Sequence, residues 1–313
     1  MPQNILVSGA SGFIGRHVVR AARSQPDVRL RLMRHRAAFE PSSDDRIHSI
    51  SADLRDPSSL RPLCEGIDAV IHCASAVSGD EQTLHAVNDQ GTHALVDAAL
   101  QQGVRRVVYV STASVYGRGP FREAEVHTLP VRPGSPTSHT RAAAEQHVLR
   151  AGGTVLRPHL VYGTGDRWVI PGLAGLLRYL RAGVDCPSVH SAVDAGALAS
   201  AAVAAALTDR NVAGVHHANH PVPIQTAALM DLVRGPLNVS AAGTLDAEQA
   251  RARAAGAPQA LHHLDMLLVD HWFASADIWR LLDCDPGPSP TDGLPAHLPW
   301  YRQLLRPDPA PGR

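Results

Sequence analysis

Through the first half of the chain, short apolar runs rich in β-branched residues alternate with stretches of helical spacing. Asn4–Ser8, Arg29–Arg34, His48–Ala52, Ala69–Cys73, Val107–Ser111 and Thr154–Leu156 read as strands. Between them, helices are expected near Gly12–Ser24, Pro57–Cys64, Thr83–Gln102 and Thr137–Ala151. That alternation predicts an α/β fold built on a doubly wound parallel sheet. Val104 to Val110 is apolar at nearly every position not held by arginine, as a central strand covered on both faces should be.

After Tyr162 the texture changes. Gly163, Gly165, Pro171 and Gly172 break the rhythm, and a helix near Leu173–Ala182 leads away from the sheet. The helix Ala195–Leu207 and the strand Gly214–Ala218 are expected to return to it. Thr226–Val233, Leu245–Ala255 and Asp277–Leu282 read as helices of a second lobe. The expected organisation is a sheet domain over 1–165, rejoined by 193–218. A small, mainly helical C-terminal substrate lobe comprises 166–192 and 219–305, and 306–313, with three prolines, is expected to be a disordered tail.

Composition narrows the function. With 29 basic and 29 acidic residues in 313, the formal net charge is zero. Nucleic acid and membrane surfaces both favour a basic field, so neither is an expected partner. No apolar run reaches the roughly 18 residues of a spanning helix. Ile5-Leu6-Val7 leads into a glycine loop with no basic segment before it, so a cytoplasmic location is expected. The four cysteines have no ligand spacing and read as free thiols. Among 18 histidines, His216-His217 and His262-His263 are adjacent pairs that point to different sides of an element, and no H-E-x-x-H occurs; no metal is expected. Every basic residue is arginine, and lysine is absent. Oligomeric state is left open.

The glycine loop carries the first chemistry. Gly9, Gly12 and Gly15, with Ser11, Phe13 and Ile14 between them, follow a strand and open a helix. In that context Gly9 permits the tight turn, Gly12 lets the backbone approach a pyrophosphate, and Gly15 allows close helix–strand packing, as in a Rossmann dinucleotide site. At the end of the second strand, where an acidic residue would hold the ribose hydroxyls of NAD, stands Arg34-His35-Arg36. Guanidinium groups hold a 2′-phosphate, so Arg34 and Arg36 point to NADP(H).

From Asn4 to about Tyr301 the sequence resembles an extended short-chain dehydrogenase/reductase. Gly9–Gly15 resembles that family's phosphate loop, and Asp53-Leu54 its adenine-contacting pair. Cys73-Ala74-Ser75 resembles the turn beside the ribose, and Asn88, in Val87-Asn88-x-x-Gly91-Thr92, its helix asparagine. Val110-Ser111-Thr112-Ala113-Ser114-Val115-Tyr116-Gly117 resembles the active-site strand, with Thr112 at the Ser/Thr position. Leu156-Arg157-Pro158 through Gly163 resembles the loop packed on nicotinamide. Asp194, and Asp292-Gly293-Leu294 through Trp300-Tyr301, match later motifs. The resemblance implies cofactor contacts from Ala74, Ser75, Asn88, Ser111, Arg141 and Pro158, and chemistry at Thr112 and Ser114.

The departure from the family lies in its Tyr-x-x-x-Lys motif. Here Thr137 stands at the tyrosine position and Arg141 at the lysine position. A threonine hydroxyl donates a hydrogen bond but is a poor proton source, and arginine neither accepts nor relays protons near neutrality. Three proton sources remain open: His139, two residues past Thr137 and turned round the helix; Tyr116 or Tyr162; or a phenol on the substrate itself. The last points to a ketoreductase acting on an aromatic polyketide ketone. A non-catalytic NADP(H)-binding sensor or scaffold and a nucleotide-sugar epimerase or dehydratase are the alternatives. Trp168, Trp272, Trp279 and Phe273 are candidates to line a flat pocket, although core packing explains each as well.

Overall fold

The computed structural model describes residues 2–35 and 44–306, so Arg36 and the tail beyond Arg306 lie outside the described residues. Seven strands form one sheet: β1 (Gln3–Ser8), β2 (Val28–Arg34), β3 (Ile47–Ser51), β4 (Ala69–His72), β5 (Arg106–Val110), β6 (Thr154–Arg157) and β7 (Gly214–His217). Their order is β7-β6-β5-β4-β1-β2-β3, with every pairing parallel. The order reverses between β1 and β4, where Ser8 pairs with His72. A doubly wound sheet opens its ligand crevice above the carboxyl ends of the strands at such a point.

Alternate side chains of each strand face opposite layers. Ile5, Val7, Leu30, Ile71 and Val108 pack with Val18 and Ala22 of helix α1 (Phe13–Arg23). Leu6, Val70, Tyr109 and Val155 pack the other way, against α2 (Gly91–Gln101) and α3 (Pro136–Arg150). A separate apolar cluster surrounds α4 (Val169–Leu180), whose Leu173, Leu176 and Leu177 meet Val233, Leu264 and Tyr301. Helix α5 (Ala195–Leu207) returns to the α1 face of the sheet. Its N-terminus is capped by Asp194, whose carboxylate accepts from the Gly196 and Ala197 N–H groups at 2.7 and 3.1 Å.

Three features differ from the sequence expectation. Helix Ala276–Leu282, expected in the second lobe, buries Ile278, Trp279 and Leu282 in the sheet-face cluster beside α5. The Trp279 indole donates to the Asn219 carbonyl at 2.7 Å, which fixes it there. A helix at Pro258–Leu267 was not anticipated, although proline at its first position is a recognised start signal. Four short strands, Phe121–Ala124, Val189–His190, Ile224–Gln225 and His271–Phe273, form a small second sheet. No helix among the described residues is long and apolar enough to cross a membrane.

Candidate active site

The glycine loop is shaped by contacts that exclude a side chain. Gly9 has φ of +68°, and a Cβ there would lie 2.5 Å from the Ala74 nitrogen. A Cβ on Gly15 would lie 2.0 Å from the Gly9 carbonyl oxygen. The turn is closed by the Gly12 N–H donating to that same carbonyl at 2.9 Å. Gly12 is also the N-cap of α1, with no side-chain cap and no acidic residue in the first turn. The N–H groups of Phe13, Ile14 and Gly15 are therefore free of intrahelical partners and aligned with the positive end of the helix dipole. This cradle fits a pyrophosphate. It opens on a cleft of about 500 Å³ that runs past Ser11, Met33, Leu54, Ala74 and Ser75.

At the far end of that cleft the Asp53 carboxylate is already engaged. It accepts from Arg55 Nη2 at 2.6 Å and from His35 Nε2 at 3.0 Å. The Arg55 guanidinium, assisted by His35, holds the Asp53 carboxyl far below the usual carboxylate range. Arg34 sits beside His35, its carbonyl accepting from Ala52 N–H at 2.9 Å. Among the described residues lining the cleft, Asp53 is thus paired with Arg55, with His35 beside it.

Beyond β4, Asn88 ties two segments together. Its Oδ1 accepts from the Ala76 N–H at 2.7 Å and the Ser75 hydroxyl at 3.1 Å, while Nδ2 donates to the Ala76 carbonyl and to Thr140 on α3. Asn88 lies on a π-helical turn, His85–Gln90, a local widening that helical spacing alone does not announce. Below it, His72 is bonded to the Ser8 and Thr92 hydroxyls at 2.5 and 2.9 Å and stacks on Tyr109.

Burial, with the Arg141 charge adding to it, pushes His72 down to about 3; burial likewise pushes His217 down to about 4. An unfolded histidine takes its proton near 6.5, so below that pH the unfolded chain binds protons the native state refuses. Stability is expected to be full above about pH 6.5. It should fall toward pH 4 by about 1.4 kcal/mol per pH unit for each such group. Denaturant midpoints measured from pH 7 to pH 5 check this, with His72→Asn expected to flatten the slope.

The reaction face is built by α3 and the segment after β5. Ser135 and Ser138 form a capping box, and Pro136 sets the first turn, which places Thr137 at the mouth of the helix. Thr137 Oγ1 makes one long contact, 3.5 Å, to the Val77 carbonyl. Four residues on, Arg141 Nη2 donates to the Val110 carbonyl at 2.7 Å, and its guanidinium lies 6.0 Å from the Tyr109 ring centroid. Its buried Nε has no hydrogen-bond partner. The Tyr109 hydroxyl, on the ring beneath this guanidinium, is likewise buried and unpartnered, so the two face one interior polar spot. Thr112 and Ser114 stand together, hydroxyls 2.7 Å apart. Ala113 and Ala142 share one apolar cluster, which holds their turn against α3.

Other expected candidates turn away from this face. Ser111 donates into the interior, to Glu145 Oε1 at 2.5 Å. Pro158 is buried and accepts from the Ala113 N–H at 2.7 Å. The Tyr116 hydroxyl is locked between Arg157 Nη1 at 2.7 Å and His217 Nε2 at 2.8 Å, and burial raises its pKa. Tyr162 is buried with its hydroxyl unpartnered, and burial raises its pKa as well. His139 is exposed and opens on a separate groove with Glu81 and His85. Phe273 and Trp279 are core residues. Trp168 is 63% exposed and lines a cleft of about 400 Å³ with Phe13 and Trp300.

Residues 5–179 match the sequence pattern of the NAD dependent epimerase/dehydratase family. The chain belongs to that family. Among characterised relatives, it is 30% identical over 196 residues to a 3beta-hydroxysteroid-dehydrogenase/decarboxylase of Arabidopsis thaliana, 55% of this chain and 35% of that protein. It is 30% identical over 184 residues to 4-hydroxy-2-methyl-3-oxo-4-farnesyl-3,4-dihydroquinoline-1-oxide ketoreductase of Stigmatella aurantiaca, 56% of this chain and 55% of that one. The chain thus spans about half, or less, of the length of these relatives. Among solved structures, the dTDP-glucose 4,6-dehydratase DesIV of Streptomyces venezuelae superposes with a TM-score of 0.74 at 23% identity, covering 96% of this chain and 97% of that one. That likeness shows the fold.

Within this epimerase/dehydratase fold, sequence reasoning missed the buried partners of the reaction face. Glu145 and Arg157, a residue pair 12 apart on α3 and β6, form a bidentate ion pair to which Ser111 also donates. The signal was available: a glutamate on the same helix face as Ala142 and Val148 needs a cation if that face is buried.

Proposed function

We propose that the chain is an NADPH-dependent ketoreductase that reduces a ketone of an aromatic polyketide, of angucyclinone type, in antibiotic biosynthesis. The observation that carries this reading is a reaction face with hydroxyls and a guanidinium but, among the described residues, no side chain suited to give up a proton. Tyr116 and Tyr162 are buried, His139 opens elsewhere, and Thr137 offers only a hydroxyl. A ketone flanked by its own phenol brings that proton with it. The Thr137/Arg141 replacement in a lysine-free chain also resembles the angucyclinone ketoreductase of simocyclinone biosynthesis.

When bound, the reduced dinucleotide supplies the hydride. Arg141, at the family's lysine position, would hold the ribose, and the free N–H groups of α1 would hold the pyrophosphate. Of the Thr112 and Ser114 hydroxyls, one donates to the other and the second donates to the carbonyl oxygen as it becomes an alkoxide. The neighbouring phenol gives that alkoxide its proton and regains one from water. The ketoreductase relative, and a 2-alkyl-3-oxoalkanoate reductase of Stenotrophomonas maltophilia at 31% identity, agree with a carbonyl substrate.

Purified protein with NADPH and an angucyclinone ketone should consume the reduced-nicotinamide absorbance and yield the alcohol. Tight NADPH binding without turnover across a panel of such ketones would instead support a sensor or scaffold. A nucleotide-sugar epimerase or dehydratase needs a base to begin oxidation of a sugar alcohol, and Thr137 cannot serve as one.

NADPH is favoured over NADH by Arg34 at the end of β2, where an acidic residue would hold the ribose hydroxyls of NAD. Arg34→Ala is expected to weaken NADPH binding about tenfold, the worth of one charge-assisted hydrogen bond, and to leave NADH unchanged. Calorimetric titration with both cofactors checks this.

A further inference from the structure

We propose that His159, His190 and His271 form a binding site for a divalent transition-metal cation of the zinc class, separate from the dinucleotide cleft. The three residues come from distant stretches: the loop after β6, the strand Val189–His190 and the strand His271–Phe273. Parallel pairing sets His190 directly beside His271. His159 is held by its backbone N–H, which donates to the Asn219 side chain at 2.7 Å. One ring nitrogen from each of the three lies within 4.8 Å of the others.

The outer nitrogens favour ligation. His190 Nε2 lies 3.2 Å from the Leu267 carbonyl oxygen, and His271 Nδ1 lies 2.9 Å from that of Val269. Donating protons there leaves the lone pairs on His190 Nδ1 and His271 Nε2. Metal-bound histidines are set in this way, the far N–H anchored on a carbonyl so that the near nitrogen is free to bind. His159 Nε2 is 3.4 Å from His190 Nδ1. That is the spacing of ligand nitrogens on a tetrahedral ion with bonds of about 2.1 Å; the three rings lie within 16° of parallel, so they turn about their χ2 bonds to converge on it. The contact of the Gly119 N–H to His271 Nε2, 3.3 Å, is a long one that a cation would displace.

Protonation does not stand in the way. Burial lowers all three imidazoles, His190 to about 4 and His159 well below its ordinary value, so each is a neutral ligand at pH 7. His190 and His271 are 1% and 2% exposed, and Phe121 and Phe273 wall the site. His159 is the one partly exposed member of the three. Three imidazoles suit zinc and its neighbours rather than calcium or magnesium, which want oxygen. Histidines this far apart in sequence have no motif spacing, so the chain alone could not announce them.

The test uses the full, untagged protein stripped with chelator and titrated with Co²⁺ and then Zn²⁺. One equivalent of Co²⁺ is expected to give the visible absorption of a tetrahedral centre, and Zn²⁺ to displace it. His190→Gln and His271→Gln should weaken binding at least about hundredfold. His262→Gln, in the adjacent pair elsewhere, should leave it unchanged. If either buried variant fails to fold, His159→Gln, half-buried, decides with the same expected loss. Absence of the tetrahedral band in the wild type, or its survival in a folded His159 or His190 variant, would overturn the proposal.

Discussion

Replacing Glu145 by alanine is expected to cost about 3–5 kcal/mol of stability, the largest loss of any single substitution outside the glycine loop. Glu145 is 0% exposed and Arg157 3%. Arg157 Nε and Nη2 both donate to the carboxylate, Ser111 donates to it, and Arg157 Nη1 donates to Tyr116. Burial alone would disfavour the Arg157 charge, but the Glu145 carboxylate outweighs it and the pKa is raised. Without Glu145 the guanidinium stays in the interior with one phenol for company, against a total stability of about 5–15 kcal/mol. Glu145→Met with Arg157→Met removes both charges, so the double variant should regain much of the loss. Urea unfolding of the three variants checks the order. A double variant no more stable than Glu145→Ala would show that the pair does more than neutralise itself. Glu145 lies one turn beyond Arg141 on α3, so the ion pair also fixes where Arg141 meets the end of β5.

That pair marks the boundary of what the sequence made legible. The central strands announced themselves because a sheet covered on both faces needs apolar residues at nearly every position. The glycine loop was equally plain, since Gly9 and Gly15 occupy places where any Cβ collides with backbone. The helix α5 was legible from its alanine run, Ala195–Leu207. Less legible was anything decided by long-range contact. Val189–His190 and Ile224–Gln225 are two-residue strands, too short to show a period of two. The π-helical turn at Asn88 exists because its side chain bridges to Ala76 and Thr140, and neighbours in sequence do not reveal that. Ala276–Leu282 has the pattern of any amphipathic helix, and only the burial of Trp279 assigns it to the sheet. At the reaction face the loss of tyrosine and lysine was readable directly. That Tyr116 is unavailable was not, because its partners Arg157 and His217 lie 41 and 101 residues away.

Masking the substrate's phenol as a methyl ether is expected to lower kcat at saturating ketone at least about hundredfold, the usual worth of a positioned general acid. On the unmasked ketone, Thr137→Ala should change kcat by less than about threefold, because one hydrogen bond is lost but no proton source. Thr137→Tyr restores a phenol at the mouth of α3, four residues before Arg141, whose charge favours the phenolate form. That variant is expected to reduce the methyl ether at least about tenfold faster than the wild type. Reading kcat rather than kcat/KM matters, since the added methyl group also perturbs binding. Equal rates on phenol and methyl ether would place the proton source in the protein. His139 would then be the group to test, by moving its exposed imidazole from the outer groove toward Thr137. With the expected result, the hydroxyls of Thr112 and Ser114 and the charge of Arg141 do the positioning, and the acid arrives with each substrate.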